Sequence, residues 1–185
     1  MQTTKQEAFI KQNIHAFFLN PEIQENGPEI EKLRIYAKTN DQSIIDELKG
    51  SGALLDHKSK HNIIATVGRN VLCRLLAGDT TYSGQINYGA LGTAVAPVPA
   101  VGDIKLGTES YRKTYASHTT DGANIAYVDF FFATTDCNGT YTEFGNFIDG
   151  TASADSGKLF SRIATGGWTK TALQSLFVSC QYTIN

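Results

Sequence analysis

Ser175-Leu-Phe-Val-Ser-Cys-Gln-Tyr-Thr-Ile184 decides the fold class. Leu176, Val178, Cys180, Tyr182 and Ile184 alternate with Ser175, Ser179, Gln181 and Thr183. A period of two puts each set on its own face, so the stretch reads as a half-buried strand with one core face. Phe130-Phe-Phe132 places large apolar groups on both faces of a strand over 123–134. That predicts a central strand between a sandwich core and a second covering layer. Asp121-Gly122 separates it from a strand over 108–118, a strong hairpin signal because such turns need positive φ. Asn138-Gly139 turns into a strand over 140–148, and 158–164 reads as another strand. Ile86, Tyr88 and Ala90 also alternate, with Gln85 and Asn87 opposite. Residues 94–107, with Pro97 and Pro99, read as a long ordered loop, and 149–157, rich in Ser, Gly and Ala, as a flexible one. Roughly six or seven strands with regularly spaced turns predict a mainly β fold, an antiparallel β-sandwich of jelly-roll-like type.

The clearest helix covers 62–77. Ile63, Val67, Val71 and Leu75 are four apart, with Ile64, Leu72 and Leu76 beside them. Asn62 suits its N-cap and Gly78 its C-terminal stop. Gly68 inside it costs about 1 kcal/mol against Ala, which points to close packing on a sheet. Further upstream, Phe9, Ile10, Ile14, Phe17 and Phe18 fall near one face of a helix over 5–19, ended by Asn20-Pro21. Gly27-Pro28 marks a turn, Leu33, Ile35 and Ala37 alternate like a short strand, 41–49 fits one or two helical turns, and Leu54-Leu55 starts a strand.

Composition changes near residue 60. Residues 1–60 hold 8 Lys/Arg and 9 Asp/Glu, and the twice-longer remainder holds the same numbers. We therefore expect an N-terminal extension over 1–50 and a helix plus antiparallel sandwich over 51–185. The apolar face of 5–19 reads as a docking arm that buries itself on another subunit, or else packs on its own domain.

The 185-residue chain can bury a core without disulfides or metals. Its net charge of −2 gives no case for nucleic acid, which needs a concentrated basic face. Nor is there a polybasic run for a membrane surface or an apolar run long enough to span one. The start lacks the apolar core of a signal peptide. Cys73, Cys137 and Cys180 are odd in number and widely spaced, so free buried thiols are expected, with a Cys137–Cys180 bridge left open.

No motif carries a catalytic centre, a metal site or a cofactor. His57 and His61 lie four apart but lack a third ligand, and a polar connector is the simpler reading. Gly150 to Lys158 has six residues between its glycines and Leu159 after the lysine, which excludes a phosphate loop. Glu109 and Glu143 could form a carboxylate pair. A structural role, paired with Arg112 or Arg162, explains them better. Asn138-Gly-Thr140 matches a glycosylation sequon but reads as a hairpin turn. Trp168, after Gly166-Gly167, is the best candidate for an exposed aromatic contact.

Five phrases keep a characteristic order: Asn62 to Arg69, Tyr88 to Thr93, Leu106 to Arg112, Glu143 to Gly145, and Lys170 to Val178. In order and spacing they resemble a family of structural proteins of tailed-bacteriophage virions. The resemblance covers about two-thirds of the chain and leaves 1–50 outside. It implies a non-enzymatic particle component made in the host cytoplasm and located in the virion, at the tail, baseplate, fibre attachment or neck. Capsid decoration is the alternative. Its partners would be copies of itself and other virion proteins. It implies that Glu109, Arg112 and Glu143 hold the sandwich together, that Gly68, Gly92 and Gly145 allow close backbone approach, and that Arg69 is a structural residue. The chain departs at Ala94–Gly102, more apolar than the family's polar loop, as if buried against a neighbour. A rival reading is a module that binds a host glycan or receptor through loops 94–107 and 149–157.

Overall fold

The two ends of the chain meet at one strand pair. In the computed structural model, which describes residues 10–185, β10 (Ser175–Ile184) runs antiparallel to β1 (Ile10–Leu19), with Ile184 opposite Ile10 and Ser175 opposite Leu19. On its other side β10 pairs with β7 (Ile125–Phe132). With β2 (Leu54–His61) and β6 (Ser117–Thr120) at its edges, sheet A has the order β2-β1-β10-β7-β6. Sheet B has the order β3-β9-β8-β4-β5, from β3 (Ile63–Ile64), β9 (Lys158–Lys170), β8 (Gly139–Ile148), β4 (Ile86–Gly92) and β5 (Glu109–Thr114). Every pairing is antiparallel. The mainly β expectation therefore holds, as two antiparallel sheets of five strands.

The sheets share a core. Val178 and Cys180 of β10, Phe130 and Phe132 of β7, and Ile14 and Phe18 of β1 join Phe144, Ile148 and Ile163 of sheet B in one buried cluster. The Phe130 and Phe144 rings meet edge to face at 5.9 Å, a favoured aromatic geometry. The opposite face of sheet A carries Phe17, Phe131 and Phe177. It is covered by Ile30 and Leu33 of α1 (Pro28–Thr39) and Ile45 and Leu48 of α2 (Gln42–Gly50). Those helices are the second layer that the triple phenylalanine requires, and β7 lies inside the sheet as expected.

Four expectations for the first third are corrected. Residues 10–19 form a strand, not a helix. Ile14, Ala16 and Phe18 face the inter-sheet core while Phe17 and Leu19 face the helices, and a strand apolar on both sides imitates a helical stripe. Ile10, Ile14, Phe17 and Phe18 are thus internal to this fold and do not form a docking arm; Phe9 lies outside the described residues. The boundary at residue 50 also disappears, because α1 and α2 share a core with β7 and β10. Finally, Leu33 to Ala37 is helical. Ile30, Leu33, Tyr36 and Ala37 are buried at helical spacing while Ile35 is exposed. Pro28 opens α1, where its missing N–H costs nothing, and Asn40 ends it in the left-handed conformation, φ 55°.

The central helix, α3 (Thr66–Leu76), starts later than expected. Ala65, not Asn62, is its N-cap, because Ile63 and Ile64 first pair with Arg162 and Ser161 of β9. Asn62 instead donates to the side chain of Gln12. Gly78 ends the helix as predicted. With φ 79° it lets its own N–H reach the Leu75 carbonyl and that of Asp79 the Arg74 carbonyl, both helix-end acceptors. Leu76, placed on the apolar stripe, is exposed. The stretch 108–118 is not one strand: β5 belongs to sheet B and β6 to sheet A, with Tyr115 and Ala116 crossing between them. Cys137 and Cys180 are free and buried, and Cys73 is free but exposed. Among the described residues no helix is long and apolar enough to cross a membrane.

Candidate functional site

Glu143 and Glu109 stand on either side of one residue. Gly92 of β4 is the register partner of Glu143 on β8 and of Glu109 on β5. A Cβ on Gly92 would lie 2.5 Å from Glu143 Oε1 and 2.7 Å from the Thr108 carbonyl, so only glycine leaves room for the carboxylate. Each glutamate has its own arginine. Arg162 donates from Nε and Nη2 to Glu143 Oε2 at 2.9 and 2.5 Å. Arg112 forks onto both oxygens of Glu109 at 2.5 and 2.8 Å. The carboxylates are therefore committed to ion pairs with Arg112 and Arg162.

Their work is to hold two loops. Glu143, 0% exposed, accepts the N–H groups of Gly107 at 3.1 Å and Thr108 at 2.9 Å. Arg162 reaches on to Asp103 at 2.7 Å, and Asp103 accepts the Ala100 N–H at 2.8 Å. The Val101 carbonyl accepts the N–H of Thr66, one of the unpaired donors at the start of α3, at 2.7 Å. Thr142 donates to the Ala94 carbonyl at 2.6 Å. Leu106 is buried among Ala65, Ala90, Phe147 and Leu159. With its backbone fastened below, the loop turns its apolar side chains outward. Val95 is 95% exposed and Val98 83%, and Val101 and Ile104 are exposed too. Within this chain, then, the apolar segment Ala94–Gly102 is presented to the surface.

The second loop is fastened the same way. Arg112 Nη1 donates to the Thr151 carbonyl at 2.9 Å and to Ser156 Oγ at 2.7 Å, and the Asp155 N–H reaches Glu109 at 3.1 Å. Asn87 makes a reciprocal pair with the backbone of Gly150 at 2.8 and 2.9 Å. The loop expected to be flexible is thus held by side chains on three sides. Lys105 and Asp155, 2.8 Å apart, join the two loops into one surface beside sheet B.

Two glycines act as expected. A Cβ on Gly68 would meet Phe160 Cα at 2.7 Å, and one on Gly145 would meet the Ser161 carbonyl at 3.0 Å. Arg69 is exposed and donates to the Thr66 hydroxyl one turn back on its own helix at 3.0 Å. Trp168 is a correction: it is 2% exposed and packs 5.8 Å from Phe144. Gly166 and Gly167, at φ 77° and 94°, form an irregularity in β9, and Trp168 follows it into the core. His57 lies on β2, not in a solvated connector. Its Nε2 is 3.2 Å from His15 Nδ1, beside Phe17 and Tyr36. Burial is the main cause that lowers both imidazoles to about 4; His57 and His61 add to it at His15, and Lys49 and Lys58 add to it at His57 against the opposing pull of Asp56. Among the described residues no group of His, Cys, Asp or Glu is arranged to hold a metal ion.

The sequence reading missed Asp103 and Asp129. Each was visible as a lone acid in an apolar run, Val101-Gly-Asp-Ile104 and Tyr127-Val-Asp-Phe130. A charge in such surroundings needs a partner, and the partners are Arg162 and Arg34.

Compared with family models, with curated proteins and with solved structures, the chain matches none.

Proposed function

We propose that this chain is a non-enzymatic structural component of a tailed-phage particle, mediating subunit assembly in the tail, baseplate, fibre attachment or neck. One observation carries the reading: a loop whose segment Ala94–Gly102 is apolar and without charge is held from beneath while Val95 and Val98 stand almost fully exposed. Buried ion pairs under a loop set its shape before any partner arrives, which lowers the ordering cost of association. Apolar side chains displayed together on such a support suit burial against another protein. The partners are copies of this chain and other virion proteins, and the location is the virion. Nucleic acid and membrane are not part of the proposal, since neither loop offers a basic face. Capsid decoration would use the same surface. The jelly-roll description is not carried forward, because β4–β5, β6–β7 and β8–β9 are hairpin neighbours within single sheets.

The test is quantitative mass spectrometry of phage particles banded by density from the source culture. The chain should be found at a fixed ratio to the major capsid protein and should be released only when particles are dismantled. Its absence from intact particles would overturn the proposal.

A further inference from the structure

Lys170, the last residue of β9, is a buried cation, 1% exposed. The arginines that enter the fold each have a carboxylate: Arg34 has Asp129, Arg112 has Glu109 and Arg162 has Glu143. Lys170 has neutral oxygens instead. Its ammonium donates to the Asp136 carbonyl at 2.8 Å and to Asn138 Oδ1 at 3.0 Å, with the Thr134 and Thr171 carbonyls at 3.3 and 3.5 Å. Burial draws its pKa below the usual lysine range, as expected for a cation short of countercharge. The Asp136 carboxylate opposes this only from a distance, being held by Lys113 and Tyr111.

The carboxamide of Asn138 is the one member of this cage that can change chemically. Asn138 is exposed to water and precedes Gly139, which is the register partner of Lys170 across the β8–β9 ladder. Asparagine is chemically labile, and most so before glycine, because a residue without a Cβ leaves its backbone nitrogen open to reach the asparagine Cγ. Lys170 already donates to the oxygen on which negative charge develops in that attack, as an oxyanion hole does. The product is a carboxylate beside a buried cation that lacks one. What is lost is the Asn138 Nδ2 donation to the Thr134 carbonyl at 3.0 Å, at an exposed residue where water can take its place.

We propose that Asn138 is a self-modification site, converted to a carboxylate that pairs with Lys170 and fastens the turn between β7 and β8 to the end of β9. The Gly139 nitrogen bonds to Asn138 Cγ and gives up its proton, the Cγ–Nδ2 bond breaks, and ammonia leaves with that proton. Water then opens the cyclic imide at either carbonyl and restores the Gly139 N–H. Aspartate or isoaspartate results, and each carries a carboxylate next to Lys170. Water enters and ammonia leaves, with no other reagent. The turn leads from sheet A to sheet B, so the new pair ties the two sheets at that end. The site does not rest on the particle reading.

The experiment is peptide-resolved mass spectrometry of the full chain held in mildly alkaline buffer, folded and in urea. Conversion adds about 1 Da at residue 138. Asn26-Gly27, just ahead of α1 and with Asn26 exposed, is the same dipeptide and serves as the internal reference. In the folded chain Asn138 should convert about tenfold faster than Asn26, the gain from one hydrogen bond to a charged group on the developing oxyanion. In urea the two should convert alike. Lys170→Met should abolish the difference in a chain that melting curves show to be folded; the folded-against-urea comparison on the unaltered chain stands without that variant. Asn138→Asp should melt above the unaltered chain, and the gain should disappear as pH falls through the carboxylate range, where the paired carboxylate takes up a proton. Conversion of Asn138 no faster than that of Asn26 in the folded chain would overturn the proposal. So would loss of ammonia without uptake of water, which marks an amide bond between Lys170 and Asn138, or an Asn138→Asp chain that melts lower.

Discussion

Glu143→Gln is the change that tests whether the loop is held from beneath. The substitution keeps the side chain's size and removes its charge. Glu143 accepts four hydrogen bonds, two from Arg162 and one each from the Gly107 and Thr108 N–H groups. A carboxamide offers one acceptor oxygen and turns a donor toward groups that are themselves donors. Arg162 keeps Asp103 but loses its buried partner. Breaking a buried pair by removing one member costs about 3–5 kcal/mol, which for a chain of this size lowers the melting temperature by roughly 6–20 °C. Urea unfolding should show the midpoint falling with an unchanged slope. Hydrogen exchange should locate the loss: the Gly107 and Thr108 amides should exchange faster, while β10 amides lose protection only by the global amount. Replacing both partners, Glu143→Leu with Arg162→Met, should recover only the part of the loss that comes from the unpaired guanidinium, because Asp103 then loses its arginine and the Gly107 and Thr108 N–H groups their acceptor. A single-variant cost below about 1 kcal/mol, with Gly107 and Thr108 still protected, would refute the argument, since a surface ion pair would behave that way.

Other consequences can be checked on the same protein. His15 and His57 are held neutral, at about 4 against 6.5 when unfolded; their contribution is full above about pH 6.5 and is lost as pH falls toward 4, because the unfolded chain then binds more protons. Urea midpoints should fall through that window, and the double change His15→Phe, His57→Phe should flatten the fall. Gly68→Ala sets a helix-propensity gain of about 1 kcal/mol against a Cβ placed 2.7 Å from Phe160 Cα; overpacking of about 1–3 kcal/mol should win, and a rise in melting temperature would count against the close approach. Trp168→Ala should cost about 3–5 kcal/mol, whereas Trp168→Phe should cost less, because it leaves a smaller cavity and the indole N–H has no partner to lose; equal losses would mean a hidden hydrogen bond. Thiol titration of the folded protein should modify Cys73 alone, since Cys137 is buried and pushed up to about 12, and denaturant should release the other two; fewer than three thiols in denaturant would mean a disulfide.

How much of this was legible depends on which physical signal each segment carries. Strand β10 was readable because one of its faces is largely polar, so period two survives in the sequence. Phe130-Phe-Phe132 was readable for the opposite reason: apolar on both faces, it demanded two layers, and α1 with α2 supplies the second. The same logic applied to Ile14–Leu19 would have found β1. It failed because a strand buried on both sides has no polar phase to count from, and five apolar residues near one helical face looked more regular than they were. The alternation of Leu33, Ile35 and Ala37 misled in reverse, since Pro28 and the first-turn acids Glu29 and Glu31 were the better guide. Glycines were the most faithful local signal, because Gly68, Gly92 and Gly145 each mark a place where backbone or carboxylate comes too near for a Cβ.

The candidate surface was legible only in half. Glu109, Arg112, Glu143 and Arg162 stand out as charges inside strand-like phrases, and a charge in a sheet must find a partner or remain at the edge. Which arginine meets which glutamate depends on the register of β4, β5, β8 and β9, and register is a property of the folded sheets. The same dependence explains the loop. Its apolar composition suggested burial, yet its direction is set by the backbone N–H groups that Glu143 and Asp103 accept and by the Thr142 hydroxyl that donates to the Ala94 carbonyl. Once the backbone is fastened on that side, Val95 and Val98 have only the solvent side left. An apolar loop that was merely covering the sheet would turn those two valines inward beside Leu106. Their outward direction therefore belongs to the ion-pair network, and any protein contact made through this loop should weaken when Glu143 is replaced.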